Sequence, residues 1–253
     1  IRAKKSRNHT ELIFRYLKIP IKIIQKNEYD NIEINGPANF NGFNYKIPGD
    51  ISSSAFFIVL TLLSKNSKII IRNVNVNNSR TGILKILNKM NAKISLMNRK
   101  IYNGEKQADI IVKSRSNLKC INCPKNLNSS AIDEFLVIFL VAAKAKGISR
   151  FKNLSELNKK ESPRLEIALE FLKKIGIKFS RKKDDVKIYG NPNLNLKGSY
   201  VMKDFRKDHR IFMMSCIAAL SFGGKWKIKD KDSIKTSFPT FIKLLKRLGA
   251  KLN

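Results

Sequence analysis

A long-period internal repeat constrains this chain more than any single residue does, because a repeated unit dictates the architecture before any site is considered. Three segments place polar, capping-type residues ahead of a nearly all-apolar run: Asp50 to Leu60, Ala131 to Val141 and Asp208 to Ala218. Such runs read as helices buried on every side and begun through an acidic or hydroxyl N-terminus. Three more segments, Ser79 to Met90, Glu161 to Leu172 and Thr236 to Leu248, carry apolar residues at i, i+3, i+4 spacing and read as amphipathic helices. Pro163 and Pro239 sit where a first turn tolerates them. Each amphipathic helix runs into a similar turn and short strand, Asn91–Ile94, Gly176–Phe179 and Gly249–Leu252, whose Asn or Gly supplies the left-handed residue that stops the helix. Ser6 to Leu17, followed by Ile21–Ile24, reads as a fourth copy lacking its first half. Runs at Ile32–Ile34, Lys68–Val74, Ile110–Val112, Val186–Tyr189 and Lys225–Ile228 supply strands. The predicted unit is strand, buried helix, strand, strand, amphipathic helix, strand (βαββαβ), recurring at a spacing of roughly 75 to 85 residues.

Composition narrows the function classes. With 253 residues, 43% hydrophobic and 28% charged, the chain has apolar material for one or two cores, which excludes a disordered tail. No uninterrupted apolar run approaches the roughly 18 to 20 residues of a bilayer span, so no membrane association is expected. A net charge of +32 would ordinarily suggest a polyanion partner. Lysine, asparagine and isoleucine are heavy throughout, however, and no stretch concentrates charge among aromatics. The balance favours codon drift and anionic small substrates over a specific nucleic acid. Cys120, Cys123 and Cys216 are too few and too odd in number for a disulfide framework, which suggests a reducing, cytoplasmic setting. No glycine-rich phosphate loop, nucleophile elbow or zinc-binding helix motif is present, so nothing supports a cofactor- or metal-dependent enzyme.

The residues that could do chemistry lie at helix starts. Asp133 and Glu134 precede an apolar helix, where one carboxylate could simply favour the helix dipole; held among Ile132, Phe135 and Leu136, it needs a partner or a task. Glu161 and Arg164 are three apart on one helical face, with Lys160 just before it. Asp208-His209-Arg210 brings a guanidinium, able to grip a carboxylate or phosphate at two points, to the mouth of another buried helix. His209 reads as readily as an oriented structural residue as a proton carrier. On a shared repeat geometry Asp133, Lys160, Glu161, Arg164 and Arg210 face one cleft, two carboxylates among several cations, a plausible acid–base pair for an anionic substrate.

In order and spacing, Pro48-Gly-Asp-x-Ser-Ser, Asn78-Ser-Arg-Thr-Gly82, Ile132-Asp-Glu-Phe135, Lys160-Glu-Ser-x-Arg164, Asp208-His-Arg210 and Ser237-Phe-Pro239 resemble the 5-enolpyruvylshikimate-3-phosphate synthase family, from Ser6 to the C-terminus. The resemblance implies an α/β (α+β) inside-out barrel of βαββαβ repeats, helices inside and sheets outside, in two domains that close over the substrates. Residues 1–46 would be the end of the first domain and 47–253 the second, with three repeats. It implies transfer of the enolpyruvyl group of phosphoenolpyruvate to the 5-hydroxyl of shikimate 3-phosphate, on the route to chorismate and aromatic amino acids, with no metal or cofactor, by a family usually monomeric. Asp133 would orient the hydroxyl and accept its proton, and Glu161 would move the proton to and from the methylene carbon. Lys160, Ser6 and Arg7 would bind shikimate 3-phosphate, and Arg164 and Arg210 phosphoenolpyruvate.

The family usually has Asp where Pro163 stands and a basic residue where Asn158 stands; Thr236 occupies the point of a lysine found in some members, with Lys235 one residue away. The family's N-terminal Lys-Ser segment, glycine-rich loop and Ser-Ser-Gln phosphate site have no counterpart before Ser6. The chain therefore reads as a C-terminal piece, with little turnover expected on its own. The competing readings are the related UDP-N-acetylglucosamine enolpyruvyl transferase and a non-catalytic basic protein binding polyanions.

Overall fold

The computed structural model describes residues 1–203 and 207–252. The chain opens with β1 (Arg2–Lys4), α1 (His9–Tyr16), β2 (Ile21–Gln25) and β3 (Tyr29–Ile34). The next stretch holds α2 (Ile51–Leu63), β4 (Lys68–Asn75), α3 (Gly82–Lys89), β5 (Lys93–Tyr102) and β6 (Glu105–Lys113). A third comprises α4 (Asn128–Ala131), α5 (Phe135–Lys144), β7 (Gly147–Phe151), α6 (Arg164–Lys174), β8 (Phe179–Lys182) and β9 (Asp185–Gly190). The last comprises β10 (Leu196–Met202), α7 (His209–Phe222), β11 (Gly223–Ile228) and α8 (Phe241–Arg247).

The repeat is present, with a different internal order from the one expected. One strand, not two, lies between the buried and the amphipathic helix, and a hairpin follows the latter, so the unit is βαβαββ. The reason is how strands pair. A parallel pair needs a crossover, which the buried helix provides; an antiparallel pair needs only a tight turn. Residue Gly49 bridges Val74 in parallel across α2, Lys119 and Asn122 bridge Lys146 and Arg150 across α5, and β10 pairs in parallel with β11 across α7. Asn103 and Gly104, both at positive φ, then turn β5 into β6, which slots antiparallel between β4 and β5. The β7-β9-β8 sheet repeats this order, and β1-β3-β2 matches it without a buried helix. Asn91, Gly176 and Gly249 take the left-handed conformation expected at the amphipathic helix ends. Residues 250–252, expected as a strand, pair with none among the described residues, although Leu252 packs on the core.

The helices α2, α5 and α7 pack on one another at the centre and the sheets lie outside. Residues Phe135 to Ala143 are all buried, each large side chain contributing about 1.5–3 kcal/mol. Phe139 packs at 5.1 Å on Phe151 of β7, tying helix to sheet. Gly82 is required by close approach: a Cβ there would lie 2.4 Å from Ser130 Oγ, so the start of α3 can touch α4 only without a side chain. No described helix is long and apolar enough to cross a membrane.

Candidate active site

The three buried helices all start at the same end of the molecule, and there the charged residues gather. Asp133 lies in the turn leading into α5, only 10% exposed, and is surrounded by cations from three other segments. Lys160 Nζ and Arg164 Nη1 each stand 3.4 Å from its Oδ1, Arg210 Nη2 is 3.7 Å from Oδ2, and Arg7 donates to Oδ2. Burial alone would raise the Asp133 pKa, but Arg210, Lys160 and Arg7 outweigh it and hold the carboxyl at about 2. Glu161 is half-exposed and accepts a hydrogen bond from Arg164 Nη2.

Arg164 is the largest fully buried side chain of the molecule's described part, 1% exposed, which demands full pairing of its guanidinium. Asp208, completely buried at the N-cap of α7, supplies it: Arg164 Nε donates to Oδ2 at 2.9 Å and Nη2 to Oδ1 at 3.3 Å. Ser162 Oγ donates to the same carboxylate at 2.7 Å and the Arg210 amide at 2.9 Å. Burial works against the charge on Asp208, but the hydrogen bond and charge of Arg164 prevail and its pKa is lowered. Arg210 Nη1 is anchored by the Asp133 carbonyl at 3.0 Å, so the guanidinium is aimed rather than free. Burial lowers the pKa of His209, with Arg210 adding to the effect; the imidazole has no described hydrogen bond to the cluster.

Glu134 has the opposite fate to its neighbour. It is 3% exposed, accepts from Ser52 Oγ and stands 4.0 Å from Arg210; burial pushes its carboxyl up to about 7 despite these partners. Ser52 in turn accepts from Arg80 at 2.9 Å, and Arg80 pairs with Asp50 at 2.8 Å. The chain Glu134–Ser52–Arg80–Asp50 thus links the starts of α5, α2 and α3.

The structure therefore brings Arg7, Asp133, Lys160, Glu161, Arg164 and Arg210 together. Ser6 lies beside them rather than among them, in a cleft of about 410 Å3 with Asn78, Ser79, Lys85 and Ser130. The segment after it docks residue by residue: Arg7 on Asp133, Asn8 accepting from Asn77 at 2.9 Å, His9 on buried Glu105. Lys235 pairs with Asp232 at 2.9 Å in solvent, remote from this cluster's contacts. Asn158, standing where the family has a basic residue, caps α6 by accepting from the Leu165 amide at 3.0 Å, a service Pro163 cannot perform. Sequence reasoning missed the roles of Asp208, Ser162, Glu134 and Arg80. Asp208 and Arg80 sit within quoted motifs, but their partners are distant in the chain, 44 and 30 residues away, and only folding pairs them.

Comparison with known proteins gives the family and the fold. The sequence is 36% identical over 249 residues to the 3-phosphoshikimate 1-carboxyvinyltransferase of Petrotoga mobilis, covering 98% of this chain and 56% of that protein. It is 38% identical over 248 residues to the same-named protein of Vesicomyosocius okutanii, covering 98% and 55%. The chain thus spans about half the length of the curated relatives it matches. The structure of EPSP synthase from Acinetobacter baumannii superposes with a TM-score of 0.86 at 33% identity, over 96% of this chain and 55% of that one. The enolpyruvyl transferase NikO from Streptomyces tendae shares the fold, with a TM-score of 0.72 at 13% identity over 99% and 55%. The profile described as EPSP synthase (3-phosphoshikimate 1-carboxyvinyltransferase) matches residues 1–245, and this chain belongs to that family.

Proposed function

We propose that this chain supplies the proton-handling and anion-gripping side of an enolpyruvyl transfer from phosphoenolpyruvate to the 5-hydroxyl of shikimate 3-phosphate. The observation that carries this reading is one ionised carboxylate, Asp133, in contact with four cations, with Glu161 bonded to one of them. Arg164 and Arg210 hold the carboxylate and phosphate of phosphoenolpyruvate, while Lys160, Arg7 and Ser6 hold shikimate 3-phosphate. Both substrates are multiply anionic and compete with Asp133 for its cations. A carboxyl held at about 2 is a weak base, so losing those partners to substrate raises its pKa and readies it to take the hydroxyl proton. The 5-oxygen then bonds to the substituted carbon of phosphoenolpyruvate as Glu161 delivers a proton to the methylene carbon. Return of a proton from the new methyl group to Glu161 expels phosphate and restores the double bond. Arg164, fixed by Asp208, and Arg210, fixed by the Asp133 carbonyl, are already oriented while charge shifts.

In this reading residues 1–46, whose three strands form a sheet of their own, belong to one domain and 47–253 to the other, in a monomeric cytoplasmic enzyme. The test measures phosphate release from phosphoenolpyruvate, both on the chain and on the chain joined to the segment of the Petrotoga mobilis relative outside the matched region. In the joined protein, release that requires shikimate 3-phosphate and disappears in Asp133→Asn and Glu161→Gln is expected, with little release by the chain alone. Release supported by UDP-N-acetylglucosamine instead, or indifferent to both substitutions, rejects the proposal.

A further inference from the structure

The helices α2, α5 and α7 have a second set of ends. With 13, 10 and 14 residues they run about 15 to 21 Å, and their C-terminal ends open onto a cleft of about 890 Å3. Lys65, Arg115 and Lys144 line it, and no carboxylate does. None of the three has an ion-pair partner among the described residues, in contrast to the cations around Asp133. Arg115 Nε and Ser221 Oγ are buried donors without an acceptor. The guanidinium's one described hydrogen bond is a long one, 3.5 Å to Asn91.

Helix dipoles do not account for this cluster. Each C-terminus carries roughly half a negative charge, so three offset about half of three cations. One carbonyl in the last turn of α2 and one in that of α5 are also already occupied, since the Arg115 amide donates to Leu62 at 3.2 Å and the Asn191 amide to Ala143 at 2.8 Å. Burial lowers the Lys144 pKa, and the nearby Lys65 charge adds to the effect. Leu63 and Leu220 give the cleft an apolar wall.

We propose that this cleft binds a small phosphorylated molecule with an apolar body, its phosphate held by Arg115, Lys144, Lys65 and Ser221. A guanidinium fork matches a phosphate edge, and rotation of the Ser221 side chain into the cleft gives its hydroxyl the acceptor it lacks. The site lies at the opposite ends of the helices that carry the candidate active site and does not depend on the function assigned there.

The probe is phenyl phosphate, titrated into the chain in 0.15 M NaCl and read at the backbone amide resonances of Ser221 and Gly223. Saturable shifts are expected, with affinity at least tenfold weaker in the double variant Arg115→Gln/Lys144→Gln and unchanged in Lys182→Gln/Lys187→Gln, two exposed lysines on β8 and β9. Absence of saturable shifts overturns the proposal. So does equal weakening in both variants, which would assign the attraction to the net charge of +32. A measurement independent of any variant's folding is the anomalous signal of tungstate in crystals of the unaltered chain. A peak between Arg115 and Ser221 is expected, and its absence rejects the site.

Discussion

The starts of α2, α5 and α7 each have an aspartate at the N-cap or just before it, and the three are used differently. Asp50 caps α2, accepting the Ser53 amide at 2.8 Å, and pairs with Arg80 at the surface. Asp208 caps α7 and is consumed inside the protein by Arg164 and Ser162. Asp133 caps nothing: α5 has no side-chain cap, and the carboxylate is turned to four cations at the rim of the cluster. The three helix starts thus offer three carboxylates, of which two are tied to backbone amides and one is held by cations.

The same substitution, Asp→Asn, separates these roles because Asn keeps the shape and the capping oxygen while removing the charge. In the substrate-competent chimera, Asp133→Asn should lower kcat by about 10²–10⁴-fold, or about 3–5 kcal/mol of barrier, with a smaller loss of stability than Asp208→Asn because its ion pairs lie at the rim of the cluster. Phosphate release and a urea melt check the two halves of that statement. Asp208→Asn should do the reverse at its own position. Removing one partner of a buried pair costs about 3–5 kcal/mol, since Arg164 keeps its charge at 1% exposure. A stability loss no larger than that of Asp133→Asn would mean that Asp208 is no more structural than Asp133.

The physical reason the fold was legible and the site only partly so lies in the range of each signal. The buried runs after Asp50, Ile132 and Asp208 are contiguous in sequence, so their helices could be read directly. The strand order could not, because β5 was visible only as Asn91–Ile94 while the outer half that turns at Asn103-Gly104 is polar and exposed. The cluster around Asp133 was legible through helix starts and family motifs. The Asp208 pairing was not: a buried arginine announces itself only through its surroundings, and in sequence Arg164 looks like any arginine on an amphipathic helix. Glu134 was noticed as a carboxylate in apolar company, yet nothing local says that it, not Asp133, goes inside.

Those two neighbours sharpen the comparison through pH. The Asp133 pKa falls from 3.8 to about 2, so it contributes stability above pH 3.8 that is lost as pH drops toward 2. Glu134 rises from 4.5 to about 7 because its charged form is desolvated. Its contribution is complete below pH 4.5 and is lost as pH rises through 7, about 3 kcal/mol at 1.4 kcal/mol per pH unit. Glu134→Gln keeps a neutral acceptor for Ser52 and should flatten urea stability between pH 4.5 and 7. A slope that survives the substitution would place its source elsewhere.

The smallest expected effect lies at Asp50. Asn caps a helix as well as Asp does, so Asp50→Asn retains the bond to the Ser53 amide. What it removes is an ion pair with Arg80 in which the Asp50 side chain is 45% exposed, and such pairs are worth about 0–1 kcal/mol. The unfolding free energy from urea melts should therefore fall by no more than about 1 kcal/mol, several-fold less than in Asp208→Asn, although both carboxylates cap a buried helix and both face an arginine. Arg80 also donates to Ser52, which holds Glu134, so a larger loss at Asp50 would show that Arg80 depends on this partner to keep the Ser52 contact. In that event the surface aspartate would belong with Asp208 among the structural pair-makers, and burial would no longer be what distinguishes the three helix starts.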